Sequence, residues 1–108
     1  MSKINLALVL LLALPTIAFA QPRAELMIGW LRYSGGTINQ VLSVRNNGIL
    51  PIRSVKIGCR FFRDEKLLRV SGSVEIKNVA PDAIGYNSIS IRSKISPDQA
   101  DCQVLSVK

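Results

Sequence analysis

Short apolar runs, separated by turn-forming and polar clusters, make up the chain after its first twenty residues. The clusters are "SGG" at 34–36, "NNG" at 46–48, "DEK" at 64–66, "APD" at 80–82 and "SPD" at 96–98. Short runs with such frequent turn signals are typical of an all-β domain. No run of ten or more residues combines a 3.6-residue apolar period with helix caps. The pattern therefore predicts a set of strands joined by turns.

Several runs alternate apolar and polar residues, so that successive side chains point to opposite faces of a strand. The run that begins at residue 54 is the clearest case. Its apolar face comprises Val55, Ile57, Cys59 and Phe61, and its opposite face carries Lys56, Arg60 and Phe62. Because Cys59 lies in line with valine, isoleucine and phenylalanine, we expect it to face the core rather than solvent.

The other runs differ in how clearly they assign a face. Their apolar faces are Ile38, Leu42 and Val44, with Gln40 as an exception, then Val74 and Ile76, Ile89 and Ile91, and finally Cys102 and Val104. Leu105 and Val107 blur the alternation of the last run. The run "ELMIGWLRY" at 25–33 is apolar on both faces, so the pattern does not assign its register.

Residues 1–20 have the three parts of a secretory signal peptide. Lys3 supplies the positive start, an apolar run follows at 4–14, and Pro15 precedes a small-bulky-small sequence that ends at Ala20. A transmembrane helix needs about 20 apolar residues, and this run is shorter. We expect cleavage after Ala20, export to the periplasm or the cell exterior, and no transmembrane segment in the mature chain.

The mature chain, residues 21–108, has the length of a single domain. A domain of this size buries a limited core, so a covalent link would help to stabilise it. Its two cysteines, Cys59 and Cys102, would reach an oxidising compartment and allow only one intramolecular pairing. We predict that they form a disulfide worth about 4 kcal/mol, with Cα atoms about 4.4–6.8 Å apart. The sequence leaves open whether this bond crosses between sheets or joins neighbouring strands.

The residue types argue against most catalytic and metal-binding sites. The chain has no histidine and no C-x-x-C motif, which removes histidine-based triads, Cys–His nucleophiles and common redox and zinc sites. Phosphate-binding and dinucleotide-binding glycine motifs are also missing. The acids Asp64, Glu65, Asp98 and Asp101 lie in turn-like polar segments, where carboxylates are usually solvated. We predict that the protein is not an enzyme and holds no metal or cofactor.

Three segments resemble the FxLYD-type pattern of small exported bacterial domains. They are "INQVLSVRNNG", "IRSVKIGCRFFRDEKLL" and "VEIKNVAP". In that family one strand ends in Val-x-Asn, the next ends in an aromatic residue and Asp, and a later strand leads into a proline turn. The matching positions are Val44 and Asn46, Phe62 and Asp64, and Val79 and Pro81. Some exported relatives also look as if they carry cysteines like Cys59 and Cys102.

The resemblance covers residues 38–107 and implies an immunoglobulin-like antiparallel β-sandwich. The expected fold is thus a small sandwich of this kind with one disulfide. The chain departs from the family pattern where a glycine is replaced in the turn after Asp64, and where Pro81-Asp82 stands for Pro-Gly. The family implies no catalytic residues and no particular ligand, so it adds a fold but little function.

Basic residues dominate the charge of the mature chain. Without Lys3 it has 13 Lys and Arg against seven Asp and Glu, a net charge of +6. Such an excess either solvates a surface or contacts an anionic partner. Seven of the 13 basic residues lie between positions 45 and 69. The candidate anionic-contact patch in this segment comprises Arg45, Lys56, Arg60, Phe62 and Arg69.

Three classes of function remain open. The leading interpretation is an exported, non-enzymatic structural or interaction module of the bacterial envelope, which contacts a protein through strand edges or loops. The alternative is a binder of anionic envelope components (lipopolysaccharide, phospholipid headgroups or acidic polymers) through the basic and aromatic face. The third is an inhibitor of a secreted enzyme. Nucleic acid also suits the charge and the stacking capacity of Phe62, but the predicted export argues against it.

Overall fold

Six strands account for most of residues 23–108, the part of the chain that the structure, a computed structural model, describes. They are β1 (Ala24–Ser34), β2 (Thr37–Asn46), β3 (Ile52–Arg63), β4 (Lys66–Val79), β5 (Ile84–Arg92) and β6 (Gln99–Val107). Every pairing among them is antiparallel. The predicted all-β class is confirmed, whereas the predicted signal peptide at 1–20 lies outside the described residues.

The strands form two three-stranded sheets, in the orders β1-β2-β5 and β4-β3-β6. The chain passes from one sheet to the other after β2, after β4 and after β5. These orders correspond to the A-B-E and C′-C-F strands of an immunoglobulin-type sandwich. The predicted immunoglobulin-like antiparallel β-sandwich with one disulfide is therefore confirmed.

Apolar side chains from both sheets form one core between them. Its buried members are Ile38, Leu42, Val44, Ile52, Val55, Ile57, Cys59, Phe61, Ile76, Val79 and Ile89. The alternation in β3 predicted its inward face correctly, because Cys59 is only 2% exposed and Phe61 is wholly buried. Burial of one large apolar side chain contributes about 1.5–3 kcal/mol relative to its exposure.

A bulge in β1 explains why the sequence does not reveal the register of this strand. The pairing with β2 shifts between Ile28 and Leu31. Leu26 and Leu31 both pack against the core. In a regular strand, two residues five positions apart would point to opposite faces of the sheet. A bulge inserts an extra residue and so breaks the period of two.

The polar exception on the inward face of β2, Gln40, supports this bulge. Its side chain is fully buried. Its Nε2 group donates hydrogen bonds to the carbonyl oxygens of Gly29 and Trp30 over 3.0 and 2.9 Å. A buried carbonyl without a partner is costly, so the glutamine stabilises backbone groups that the shifted pairing leaves free.

A second irregularity, in β6, accounts for the blurred pattern of the last run. Lys56 pairs with Ser106, but the next residue of β3, Ile57, pairs with Val104. Leu105 is the extra residue, and its side chain is 50% exposed. Val104 and Val107 pair with Ile57 and Val55 on the inward face of β3, so the extra residue brings apolar residues three positions apart to one face and breaks the period of two.

Two hairpin turns place their central residues in the left-handed backbone region. Between β1 and β2 these are Gly35 and Gly36, with φ of 59° and 78°. Between β3 and β4 they are Asp64 and Glu65, with φ of 51° and 66°. Positive φ at both positions matches the twist of a two-residue hairpin. The second turn is held further by the Asp98 carboxylate, which accepts a hydrogen bond from the Asp64 N–H over 3.0 Å.

Candidate functional site

The predicted disulfide between Cys59 and Cys102 is present, and it joins neighbouring strands of one sheet. The two residues are direct partners in the register of β3 and β6. Their Cα atoms are 4.0 Å apart, somewhat closer than the expected range. The sequence left open whether the bond crosses between sheets or joins neighbouring strands, and the structure shows that it joins neighbouring strands. A disulfide also suggests a non-reducing compartment.

Three members of the anionic-contact patch lie together on the outward face of β3. Lys56 and Arg60 are exposed, and Phe62 is half-buried. The Arg60 guanidinium carbon lies 5.8 Å from the centre of the Phe62 ring, within the range of a cation–π contact. The sequence thus placed these three side chains on the correct face.

Acidic residues on the neighbouring strands offset part of this charge. Arg60 forms an ion pair with Asp101 of β6, with Nη2 and Oδ2 2.6 Å apart. Lys56 is the register partner of Glu75 in β4. An anion that approached this face would therefore meet two carboxylates as well as two cations, which lowers its attraction.

The remaining two members of the patch lie on other strands. Arg45 belongs to β2, in the other sheet, and its Nη2 lies 3.9 Å from Oδ1 of Asp82. Arg69 lies in β4 near the β3–β4 hairpin and lines a cleft there. Arg69 lies between Leu67 and Ser71, the register partners of Phe62 and Arg60, so it shares the outward face of the β4-β3-β6 sheet, and the fold separates only Arg45 from the other four residues.

The cleft beside Arg69, which we call the hairpin cleft, has a volume of about 600 Å³. It lies between the β3–β4 hairpin and the segment that joins β5 to β6. Its apolar lining is Leu67, Leu68, Val70 and Ile95, its basic lining is Arg63, Lys66, Arg69 and Lys94, and Asp64 and Ser93 complete it. Volumes of this size are common among small-molecule sites.

Hydrogen bonds hold the 93–98 segment, one wall of this cleft, at both ends. At its start the Ser93 N–H donates to the Gly36 carbonyl over 2.9 Å, and the Tyr33 hydroxyl donates to the Ser93 carbonyl over 2.8 Å. At its end the Asp98 N–H donates to the Phe62 carbonyl over 2.9 Å. The segment is thus attached to strands of both sheets, and the wall is defined by the backbone.

One carboxylate, that of Asp64, lines the hairpin cleft beside its four basic residues, and the Asp98 carboxylate binds the backbone of the same turn. Arg63 lies near Asp64, with Nε and Oδ2 3.9 Å apart. Among residues 23–108, no carboxylate lies within 4.0 Å of the cationic groups of Lys66, Arg69 or Lys94. The positive charge here is therefore less compensated than on the outward face of β3.

A second exposed surface, the aromatic face, lies on the outside of the β1-β2-β5 sheet. Trp30 and Tyr86 are each 70% exposed, and Val41 is 38% exposed. Val41 lies opposite the β1 bulge that carries Trp30, while Tyr86 pairs with Ser43 two positions along β2. The Arg32 guanidinium carbon is 5.2 Å from the centre of the Trp30 ring. Large aromatic side chains so exposed are unusual outside binding surfaces.

The sequence pattern missed both the hairpin cleft and the aromatic face. Lys94 and Ile95 are distant in sequence from the basic segment, and only the fold brings them to the β3–β4 hairpin. Trp30 belongs to the run whose register the pattern could not assign. The only hint in the sequence was a tryptophan within an apolar run. A tryptophan buried in the core would produce the same residue pattern, so the sequence could not identify Trp30 as exposed.

Other kinds of site find no support in residues 23–108. This part of the chain contains no group of three or more His, Cys, Asp and Glu residues placed to hold a metal ion. It also contains no helix with the length and apolarity needed to cross a membrane. Comparison of the chain with models of protein families, with curated proteins and with solved structures gave no match.

Proposed function

We propose that the protein is an exported, non-enzymatic interaction module of the bacterial envelope, and that a protein partner covers its aromatic face. The observation that carries this proposal is the exposure of Trp30 and Tyr86 on one side of a sheet. Tryptophan, tyrosine and arginine are the residues most enriched at binding hot spots. The Cys59–Cys102 disulfide supports a non-reducing location.

The aromatic face combines the features that a protein interface requires. Each aromatic side chain can bury about 150–250 Å² against a partner. Arg32, stacked on Trp30, adds a cation beside the apolar surface. The strands β1 and β5 form the two edges of the sheet, so a partner could also pair with an exposed edge.

The test is a double substitution, Trp30→Ser and Tyr86→Ser, in the purified exported protein. Since both side chains are largely exposed, we expect the variant to unfold at nearly the wild-type temperature. Immobilised wild-type protein should retain a specific protein from a detergent-treated envelope fraction, and the double variant should lose it. The control is Ile49→Ser with Leu105→Ser, which removes exposed apolar side chains from other surfaces. Equal retention by all three proteins would contradict the proposal.

The second candidate function is binding of an anionic envelope component. The low acidic compensation around Lys66, Arg69 and Lys94 favours it. Arg69 was one of the residues assigned to the anionic-contact patch from sequence. Lys56, Arg60 and Phe62 would contribute a weaker contact, because Asp101 and Glu75 lie beside them.

Vesicle sedimentation tests this second function. We expect more protein to bind vesicles with an anionic lipid fraction than vesicles of zwitterionic lipid alone. The bound fraction should fall between about 0.05 M and about 0.5 M salt, because salt screens exposed charges. Equal binding to both vesicle types, or binding insensitive to salt, would rule out recognition by charge.

A further inference from the structure

We propose that the hairpin cleft binds an anionic amphiphile, with one acyl chain against its apolar lining and a phosphate headgroup at Lys66, Arg69 and Lys94. The inference deepens the second proposed function and rests on it. It is carried by the juxtaposition of half-exposed aliphatic side chains and weakly compensated cations around one cleft of about 600 Å³.

The apolar lining of the cleft continues the core of the sandwich. Leu68 and Val70 are half-buried and pack against the core from β4. Leu67 and Ile95, beside them, are 57% and 52% exposed. A bound acyl chain would cover apolar surface that now contacts water, and burial of such surface is favourable. The chain would thus extend the existing core outward between the hairpin and the 93–98 segment.

The basic residues select the headgroup. Lys66 and Arg69 lie on β4, and Lys94 approaches from the opposite wall, so cations flank the apolar lining from two elements. A phosphate accepts several charge-assisted hydrogen bonds, and an arginine can donate two of them in parallel. A neutral lipid would leave the cations unused.

The apolar lining argues against an acidic polymer as the occupant. A polyanion would contact the cations but would leave Leu67 and Ile95 exposed. The volume suits one small ligand, and the 93–98 wall is fixed to both sheets by the hydrogen bonds of Ser93 and Asp98. We therefore assign the site to a single lipid molecule.

Three soluble probes separate the parts of this ligand in an amide-resolved NMR titration of the exported protein. Dodecyl phosphate, below its micelle concentration, carries both the chain and the anion. Dodecyl maltoside carries the chain alone, and inorganic phosphate carries the anion alone. We expect dodecyl phosphate to bind at least about tenfold more tightly than either partial probe. The amide shifts should centre on residues 66–70 and 93–95.

Two pairs of variants locate the binding. Lys66→Ser with Lys94→Ser removes two cations of the cleft, and its control, Arg53→Ser with Lys77→Ser, removes exposed cations elsewhere. Ile95→Ser removes apolar lining, and its control is Ile49→Ser, at a position that is 77% exposed. Both cleft variants should weaken dodecyl phosphate about tenfold, and both controls should bind like wild type. All substituted side chains are exposed, so the fold should persist.

The outcomes distinguish this inference from the function on which it rests. Salt-dependent binding to anionic vesicles that the cleft variants retain in full would overturn the cleft and leave the second proposed function standing. Equal affinity for dodecyl phosphate and dodecyl maltoside would also overturn the inference, because the cations of the cleft would then make no contribution to headgroup recognition. Specific binding of dodecyl phosphate in the cleft, without binding to anionic vesicles, would support the site for a free lipid and refute recognition of the membrane surface.

Discussion

Cys59 and Cys102 are joined across β3 and β6 at positions that are already partners in the sheet. The bond therefore reinforces a backbone pairing within one sheet. In the described chain β6 is an edge strand with β3 as its one paired neighbour. The disulfide consequently secures one of the two edge strands of this sheet, the other being β4.

The first prediction concerns this bond. Replacement of both cysteines with serine should lower the free energy of unfolding by about 2–5 kcal/mol. Denaturant unfolding measures this loss, and hydrogen exchange should show that amides of β6 lose most protection. Wild-type protein treated with a reductant serves as the control and should behave similarly. Free thiols in the native, untreated protein would contradict the disulfide itself.

The second prediction concerns processing. The exported protein should lack residues 1–20, because the apolar run at 4–14 is followed by a small-bulky-small cleavage sequence ending at Ala20. Intact-mass measurement of the exported protein determines this directly. Substitution of Ala18 and Ala20 with leucine should block cleavage. A mass that retains the first twenty residues in the unmodified protein would favour a membrane anchor.

The third prediction concerns the outward face of β3. The triple change Lys56→Ser, Arg60→Ser and Phe62→Ser should lower stability by at most about 2 kcal/mol, since these side chains lie outside the core and exposed ion pairs contribute little. Thermal unfolding measures this effect. Vesicle binding should fall less than in the Lys66→Ser and Lys94→Ser variant, because two carboxylates already offset the charge of this face. If the triple variant lost more vesicle binding than the Lys66→Ser and Lys94→Ser variant, the outward face of β3 would be the main anionic contact.

The fourth prediction compares two glycines that approach a neighbouring strand or sheet closely. A Cβ atom at Gly85 would lie 2.6 Å from Cγ2 of Ile76 and 2.9 Å from Cγ2 of Val79, both in the core. Gly85→Ala should therefore destabilise the protein by about 1–3 kcal/mol. A Cβ atom at Gly58 would lie 2.9 Å from Cδ1 of Leu105, which is half-exposed and can turn away.

Gly58→Ala is thus the matched control for Gly85→Ala. Denaturant midpoints of the two variants should differ, with Gly85→Ala the less stable. Equal midpoints would mean that the two sheets can separate locally at Gly85 without loss of core packing.

The sequence predicted the elements whose periodicity is regular and failed where an irregularity intervenes. The inward face of β3 follows from strict alternation at Val55, Ile57 and Cys59. The faces of β1 and the end of β6 do not follow, because a bulge shifts each by one residue. Residue patterns record the period of a strand but not the position of an inserted residue.

The candidate sites were harder to predict, because a site depends on which sheet each strand joins. Arg45 and Lys56 are close in sequence, yet a crossover after β2 places them in different sheets. Lys94 joins Lys66 and Arg69 at the hairpin cleft only because hydrogen bonds fix the 93–98 segment beside the hairpin. No local pattern encodes such long-range contacts.

The placement of the disulfide also determines how the folded chain would respond to a pulling force. Stretching residues 23–108 from both ends after unfolding would extend only the parts outside the covalent loop closed by Cys59 and Cys102. These parts, 23–58 and 103–108, span roughly 150 Å when fully extended, against roughly 300 Å for the whole segment without the bond. If both ends of the protein were tethered to envelope structures, the disulfide would limit the length to which the unfolded chain can be stretched. Reduction of the disulfide would increase this maximum length about twofold.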